Sequence, residues 1–331
     1  MRLKVLILIW MLCCLLSLGC SVSETNSLSM ELLTLTQDTT SSLTSIHKLT
    51  VSNDSLILHP TPCFSLSLNN YDSNTIIYWD PDKIAVSQPS FTAESTSDTT
   101  ILSANSTDLF YNNWSLTYND DTWILENTEI AYSNKFVFEA DNRTYSPICF
   151  YVDVDASYIH VLCNSLTVAN DFSVDIFIID VNTGHMEYVC CDDSFHQHNI
   201  SPVQYPLDSF YCSPLSDGFL YNEGVRIFKI NGESGELQIL FDENIIMNDI
   251  PLQDSYRDIY SFFDSVSFRN NHYALSLPAY NELTGWYVAF YDSTLIYKGC
   301  IHISETKITL YDSDNNIVCD LEGAFHAYCY T

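Results

Sequence analysis

The feature that most constrains this chain is a repeated β-hairpin, plainest at Ile176 to Val189 (IFIIDVNTGHMEYV) and again at Val225 to Leu240 (VRIFKINGESGELQIL). Each copy is an apolar strand, a polar turn carrying Asp or Asn and then Gly, and a second alternating strand. The turns are Asp180-Val181-Asn182-Thr183-Gly184 and Asn231-Gly232-Glu233-Ser234-Gly235. Glycine takes the positive φ that such turns need, and Asp or Asn bonds its own backbone two residues on. Weaker copies surround Asp80 (TIIYWDPDKIAVS), Asn127 (TWILENTEIAYS) and Asp292 (WYVAFYDSTLIYKG). The steps from Asp80 to Asn127, Asp180, Asn231 and Asp292 are 47, 53, 51 and 61 residues, which is nearly periodic.

A further strand-like run precedes several hairpins: CFSLSL, YIHVLC and HYALSL. The unit is therefore a meander of three or four strands. One such unit cannot bury both its faces alone, so neighbours must stack, which favours a ring or array. At the level of repeat length and unit pattern the chain resembles a β-propeller, and the expected fold is an all-β, propeller-like ring of about six blades, within a range of five to seven. No unit carries the Gly-His and Trp-Asp signature of the WD40 family or a kelch double glycine, so no subfamily is assigned. The ordinary alternative is a β-sandwich with irregular hairpins.

The N-terminus begins with Arg2 and Lys4, followed by twelve apolar residues from Val5 to Leu16. That run is too short to span a bilayer, for which about twenty residues are needed, and fits the apolar core of a secretory signal. Ser17-Leu18-Gly19-Cys20 then resembles the lipobox of bacterial lipoproteins, with Ser17 and Leu18 where that family has leucine and a small residue. The resemblance implies that Cys20 becomes the mature N-terminus and carries the lipid, on the outer side of a bacterial cell membrane. Ser17 and Gly19 also satisfy the small-x-small rule of ordinary signal peptidase, with the same cut before Cys20.

The expected organisation is a signal peptide at 1–19, a lipidated cysteine with a Ser/Thr-rich tether at 20–45, and a propeller-like domain at 46–331. Within the tether, Met30 to Thr36 (MELLTLT) has the pattern of one strand. After Cys300 the chain holds one clear hairpin, KITLYDSDNNIVCDL, and a short tail, which is less than a full unit. A strand from the N-terminus is therefore expected to complete the last blade.

Charge narrows the partners. The chain has 12 basic and 42 acidic residues, a net charge of −30, so phosphate backbones are repelled and nucleic-acid binding is not expected. Aromatic residues make up 14% of the chain and alternate with Val, Ile and Thr, which is strand composition. Nine glycines are few for so many turns, so Asn and Asp must supply much of the turn geometry. Outside the signal and Cys20 there remain nine cysteines, an odd number without regular spacing, which reads as buried thiols and not as a disulfide framework.

The densest set of potential ligands is Cys190-Cys191-Asp192-Asp193-Ser194-Phe195-His196-Gln197-His198. His196 and His198 would share one face of a strand, and with Asp192 or Asp193 could hold a zinc-type ion. A polar loop between blades is the plainer reading. Asp312 to Asn316 begins like a calcium loop but has Ile317 and Gly323 where that motif needs Gly and Glu, so a hairpin turn is expected. Asn119-Asp120-Asp121 is read in the same way. No nucleophile elbow, phosphate loop or dinucleotide fingerprint occurs, and no cofactor is expected. These readings favour a surface-tethered module that binds or scaffolds a protein, glycan or peptide. The alternative is an extracellular carbohydrate-active hydrolase with paired carboxylates on the propeller face.

Overall fold

The computed structural model describes residues 27–37, 43–67, 76–80, 83–86, 100–103, 107–166, 172–191, 212–222, 226–242, 248–251, 265–278 and 285–330. The architecture is all-β and propeller-like. Among the described residues six sheets of three or more strands follow one another along the chain.

Sheet 1 contains β1 (Ser29–Gln37), β2 (Leu43–Ser52), β3 (Leu56–Leu58) and β4 (Phe64–Ser67). β3 and β4 share one edge of β2, and Pro60 and Pro62, which have no N–H to give, interrupt what would otherwise be one strand. The ladder resumes where Cys63 N–H donates to the Ile46 carbonyl at 2.7 Å. Sheet 2 holds β5 (Ile76–Asp80), β6 (Lys83–Val86) and β7 (Thr100–Ser103). The hairpin expected around Asp80 forms between β5 and β6, but β7 pairs parallel to β6 and departs from the meander.

Sheet 3 is β8 (Leu109–Tyr111), β9 (Trp114–Asn119), β10 (Thr122–Asn127) and β11 (Tyr132–Phe136). A small hairpin follows, β12 (Glu139–Ala140) with β13 (Arg143–Thr144). Sheet 4 is β14 (Ser146–Val152), β15 (Tyr158–Leu166), β16 (Phe172–Asp180) and β17 (Met186–Val189). Sheet 5 is β18 (Cys212–Pro214), β19 (Gly218–Asn222), β20 (Arg226–Asn231) and β21 (Leu237–Asp242). Sheet 6 has β22 (Ser265–Arg269), β23 (His272–Pro278), β24 (Trp286–Asp292), β25 (Tyr297–Ile303), β26 (Lys307–Tyr311) and β27 (Ile317–Glu322). The last strand, β28 (Phe325–Tyr330), returns to sheet 1 and pairs antiparallel with β1.

The middle strands show why this sequence cannot make a one-faced sheet. Along β16, Val174 and Ile176 pack against sheet 5, whereas Phe177 and Ile179 pack against sheet 3. Along β24, Ala289 and Tyr291 face sheet 5, and Val288 and Phe290 face sheet 1. Alternate residues of a strand point to opposite faces, so a strand apolar at both parities must be covered on both sides. Sheets 3, 4, 5, 6 and 1 therefore stack in succession. The first strands of neighbouring sheets also meet, β8 with β14, β14 with β18 and β18 with β22, as the inner wall of a ring requires.

Two expectations need correction. The folded part does not begin at residue 46: the stretch read as tether contains β1, whose Met30 and Leu32, with Leu28 just before the strand, join the apolar cluster with β24 to β26. The hairpin after Cys300 does not begin the closing blade. It adds β26 and β27 to the outer edge of sheet 6, because only Glu305 and Thr306 separate the turn residues Ser304 and Lys307, and Ser304 N–H donates to Lys307 O at 2.9 Å. A turn that tight returns the chain along the strand it has just left.

Asn and Asp do replace glycine at the turns. Of the eleven non-glycine residues with positive φ among the described residues, eight are Asn or Asp, including the pairs Asp120–Asp121, Asp141–Asn142 and Asn270–Asn271. The repeat turns share a second device. The side-chain oxygen of Asn127, Asp180, Asn231, Asp292 and Asp312 accepts backbone N–H groups two to four residues on, at 2.8–3.3 Å.

Candidate functional site

A cavity of about 490 Å³ lies between sheets 3 and 4, at the end where β8 and β14 begin. Its position follows from register. Trp114, Leu116 and Tyr118 share one face of β9, opposite Asn127, Leu125 and Trp123 of β10. Trp114, Leu116, Leu125 and Trp123 belong to the apolar cluster shared with sheet 4, whereas Tyr118 does not. Tyr118 is consequently 47% exposed, while Trp123 beside it is 8% exposed. The rings sit 5.1 Å apart at 50°, forming an aromatic corner.

The β9–β10 turn fixes this corner. Asp120 and Asp121 hold φ of 48° and 62°, the left-handed pair that a two-residue hairpin needs. The Tyr118 hydroxyl donates to Asp121 Oδ1 at 3.2 Å, and this bond to a carboxylate raises the phenol's pKa. Across the cavity stand Ser146 and Asn164, register partners on β14 and β15, with Thr144 at the end of β13. Asp121 is the one carboxylate among the described lining residues, and none of those residues is Lys or Arg.

Behind the wall lies a buried carboxylate. Tyr145 lines the cavity, and its hydroxyl is 3.2 Å from that of Tyr188, which in turn donates to Asp175 Oδ2 at 3.2 Å. The Ser173 hydroxyl also donates to that oxygen, and Cys191 N–H donates to Asp175 Oδ1 at 2.8 Å. Asp175 is 0% exposed and engaged on both oxygens, so it anchors the chain leaving β17 and the cavity wall. Burial pushes both tyrosines up, so they stay neutral donors. The tyrosine hydroxyls thus stand between Asp175 and the cavity, whose described lining holds Asp121 as its one carboxylate.

The residues singled out for a metal, Asp192, Asp193, His196 and His198, lie outside the described residues, on the connection from β17 to β18. Of the cysteines before them, Cys190 is exposed and Cys191 buried, as adjacent residues on opposite sides of a strand would be. Among the described residues no group of three or more His, Cys, Asp and Glu is placed to hold a metal ion. Cys20 also lies outside the described residues. Asp312 turns inward, accepting N–H from Asp314 and Asn316, which is hairpin chemistry as expected. Cys63, Cys149, Cys163, Cys191, Cys212 and Cys300 are buried, and burial pushes the Cys300 thiol up to about 12.

No family model matches the chain, and no curated protein matches it. Among solved structures it is similar to a putative 6-phosphogluconolactonase from Bacteroides uniformis, with 9% identity over 92% of this chain and 99% of that one and a TM-score of 0.36. It is similar also to AztD from Citrobacter koseri, with 8% identity over 89% of this chain and 81% of that one and a TM-score of 0.35. A third is the AfRom2 CNH domain, with 10% identity over 89% of this chain and 86% of that one and a TM-score of 0.29. At such scores the architecture rests on the strand order, register and packing described above.

Proposed function

We propose that this chain is an extracytoplasmic binding module: exported by its N-terminal signal, held at the outer side of a bacterial membrane through a lipid on Cys20, and presenting a propeller-like domain to a protein, glycan or peptide. The observation that carries the binding role is the cavity itself. A recess of this size with an aromatic corner and a few converging polar groups has the composition of a ligand seat. Its polar groups are ones that hold and orient a ligand. Paired acid and base groups, or an activated nucleophile, would be needed to cleave one.

Two measurements test the two halves of the reading. The intact mass of protein purified from its native membrane fraction should begin at Cys20 with added diacylglycerol and acyl mass, and the Cys20→Ala form should lack it. An unmodified soluble species would overturn the anchor. For binding, the mature Cys20→Ala protein should show a melting shift with oligosaccharides, peptides or a co-purifying protein. No shift with any of the three would overturn the binding role.

A further inference from the structure

We propose that the cavity between sheets 3 and 4 seats a short neutral glycan, on the order of two or three sugar rings, stacked on Tyr118. The inference rests on the binding role argued above and names its ligand class. Tyr118, 47% exposed, offers a flat ring to the cavity beside the buried Trp123. The C–H-rich face of a pyranose suits such a surface, since it buries apolar area while its hydroxyls project sideways. The platform is fixed before any ligand arrives, because the Tyr118 hydroxyl is bonded to Asp121 at 3.2 Å, so little side-chain freedom is lost on binding.

The polar lining selects the class. Thr144, Ser146 and Asn164 carry groups that both donate and accept, which is what a ligand dense in hydroxyls requires. An apolar peptide anchor would instead expel water from those groups and leave them without partners. The charge selects further. With Asp121 in the wall, no Lys or Arg among the described lining residues, and a chain of net charge −30, a uronate, sulfate or phosphate would be repelled. A volume of about 490 Å³ falls in the range of small-ligand sites.

The test is calorimetry on the mature Cys20→Ala protein, with four neutral probes: maltotriose, cellotriose, mannotriose and N,N′-diacetylchitobiose. Trigalacturonate and a random pentapeptide mixture serve as comparators. At least one neutral probe should bind, and the acidic trimer should bind at least tenfold more weakly. Tyr118→Ala should weaken the neutral probe by about three- to tenfold while the melting temperature holds, since the side chain is half exposed. Tyr118→Phe should keep most of the affinity, because the ring carries the contact. Equal binding of trigalacturonate, or affinity indifferent to Tyr118→Ala, would overturn the inference. Binding of the pentapeptides alone would overturn the glycan and leave the binding role standing. Silence from every probe would overturn the glycan here and count against the binding role as well.

Discussion

At the scale of single residues, the contacts that matter most are those where a side chain of one sheet meets the backbone of the next. His160 of β15 is stacked on Tyr151 with ring centroids 4.6 Å apart, and its two nitrogens reach the Gly232 carbonyl at 3.0 Å and Asp153 at 3.2 Å. Gly232 belongs to the β20–β21 turn, so this clasp ties sheet 4 to sheet 5. A Cβ at residue 232 would fall inside the Tyr151 hydroxyl, so glycine is required there by close approach. Gly232→Ala should cost about 2 kcal/mol in denaturant unfolding, and Tyr151→Phe in the same chain should restore part of it by removing the clashing oxygen. Full additivity of the two changes would show that they do not meet. Asp292 poses a different question, since it is 2% exposed yet ionised. Burial opposes its charge, but Lys298 at 2.7 Å and the bonds from Thr294 and Ile296 outweigh that and hold its pKa well below the usual carboxylate range. A lowered folded pKa stabilises the fold at every pH above the unfolded value, about 4, and that contribution is lost as pH falls through the folded value. The stability advantage over Asp292→Asn should therefore be flat from neutral pH to about 5 and shrink below about 4. A gap that widens in acid would refute the assignment.

At the scale of the element, the repeat turns were readable because their chemistry is local. Asp180 and Asn231 each bond N–H groups two and three residues on, so sequence alone locates the turn and both flanking strands. Asn231→Ala should cost about 1 kcal/mol by orphaning the Glu233 and Ser234 amides, and Asn231→Asp should recover most of it, as judged by thermal unfolding. Equal losses in the two variants would show that the side-chain acceptor is not what counts. Pairing partners were less readable. The alternation in KITLY and IVCDL identifies strands without saying which sheet they join, and the neglected signal was the two-residue spacer at Glu305 and Thr306. The parallel β6–β7 pair left no local trace, because parallel pairing is set by a distant crossover. The cavity was half legible. Asn119-Asp120-Asp121 is indeed a turn, but its use lies in the Tyr118–Trp123 pair across it. An aromatic pair facing across a two-residue turn could have been sought in YNDDTW.

At the scale of the whole molecule, the fold depends on how its two ends meet. Sheet 1 takes β1, β2 and β3 from the N-terminal side and β28 from the C-terminal side, with Leu33 opposite Tyr330 and Thr34 opposite Cys329 before a bulge leads to Thr36 opposite Phe325. Hydrogen bonds between β1 and β28 join the two ends, and the N-terminal strands cover one face of sheet 6. The pattern of MELLTLT foretold the strand, but the tether reading around it placed the start of the fold too late, since Ser/Thr-rich composition masks a strand whose Met30 and Leu32 continue an alternation begun at Leu28. Without β1 to β3, the apolar side chains of Val288, Phe290, Ile301 and Ile303 lose their cover, and β28 loses its only partner among the described strands. Each large apolar side chain so exposed costs on the order of 2 kcal/mol, and several together approach the whole stability of a domain. Deleting residues 21–60 should therefore abolish cooperative folding. Truncation after residue 324, which removes only β28, should lower the melting temperature and leave a partly folded chain prone to join through the free edge of β1. Deletion of residues 21–26, which stops short of the strand, should leave the melting curve unchanged. Circular dichroism melts of the three forms separate the cases, and a soluble, sharply melting protein without residues 21–60 would show that the ring does not depend on its N-terminal strands.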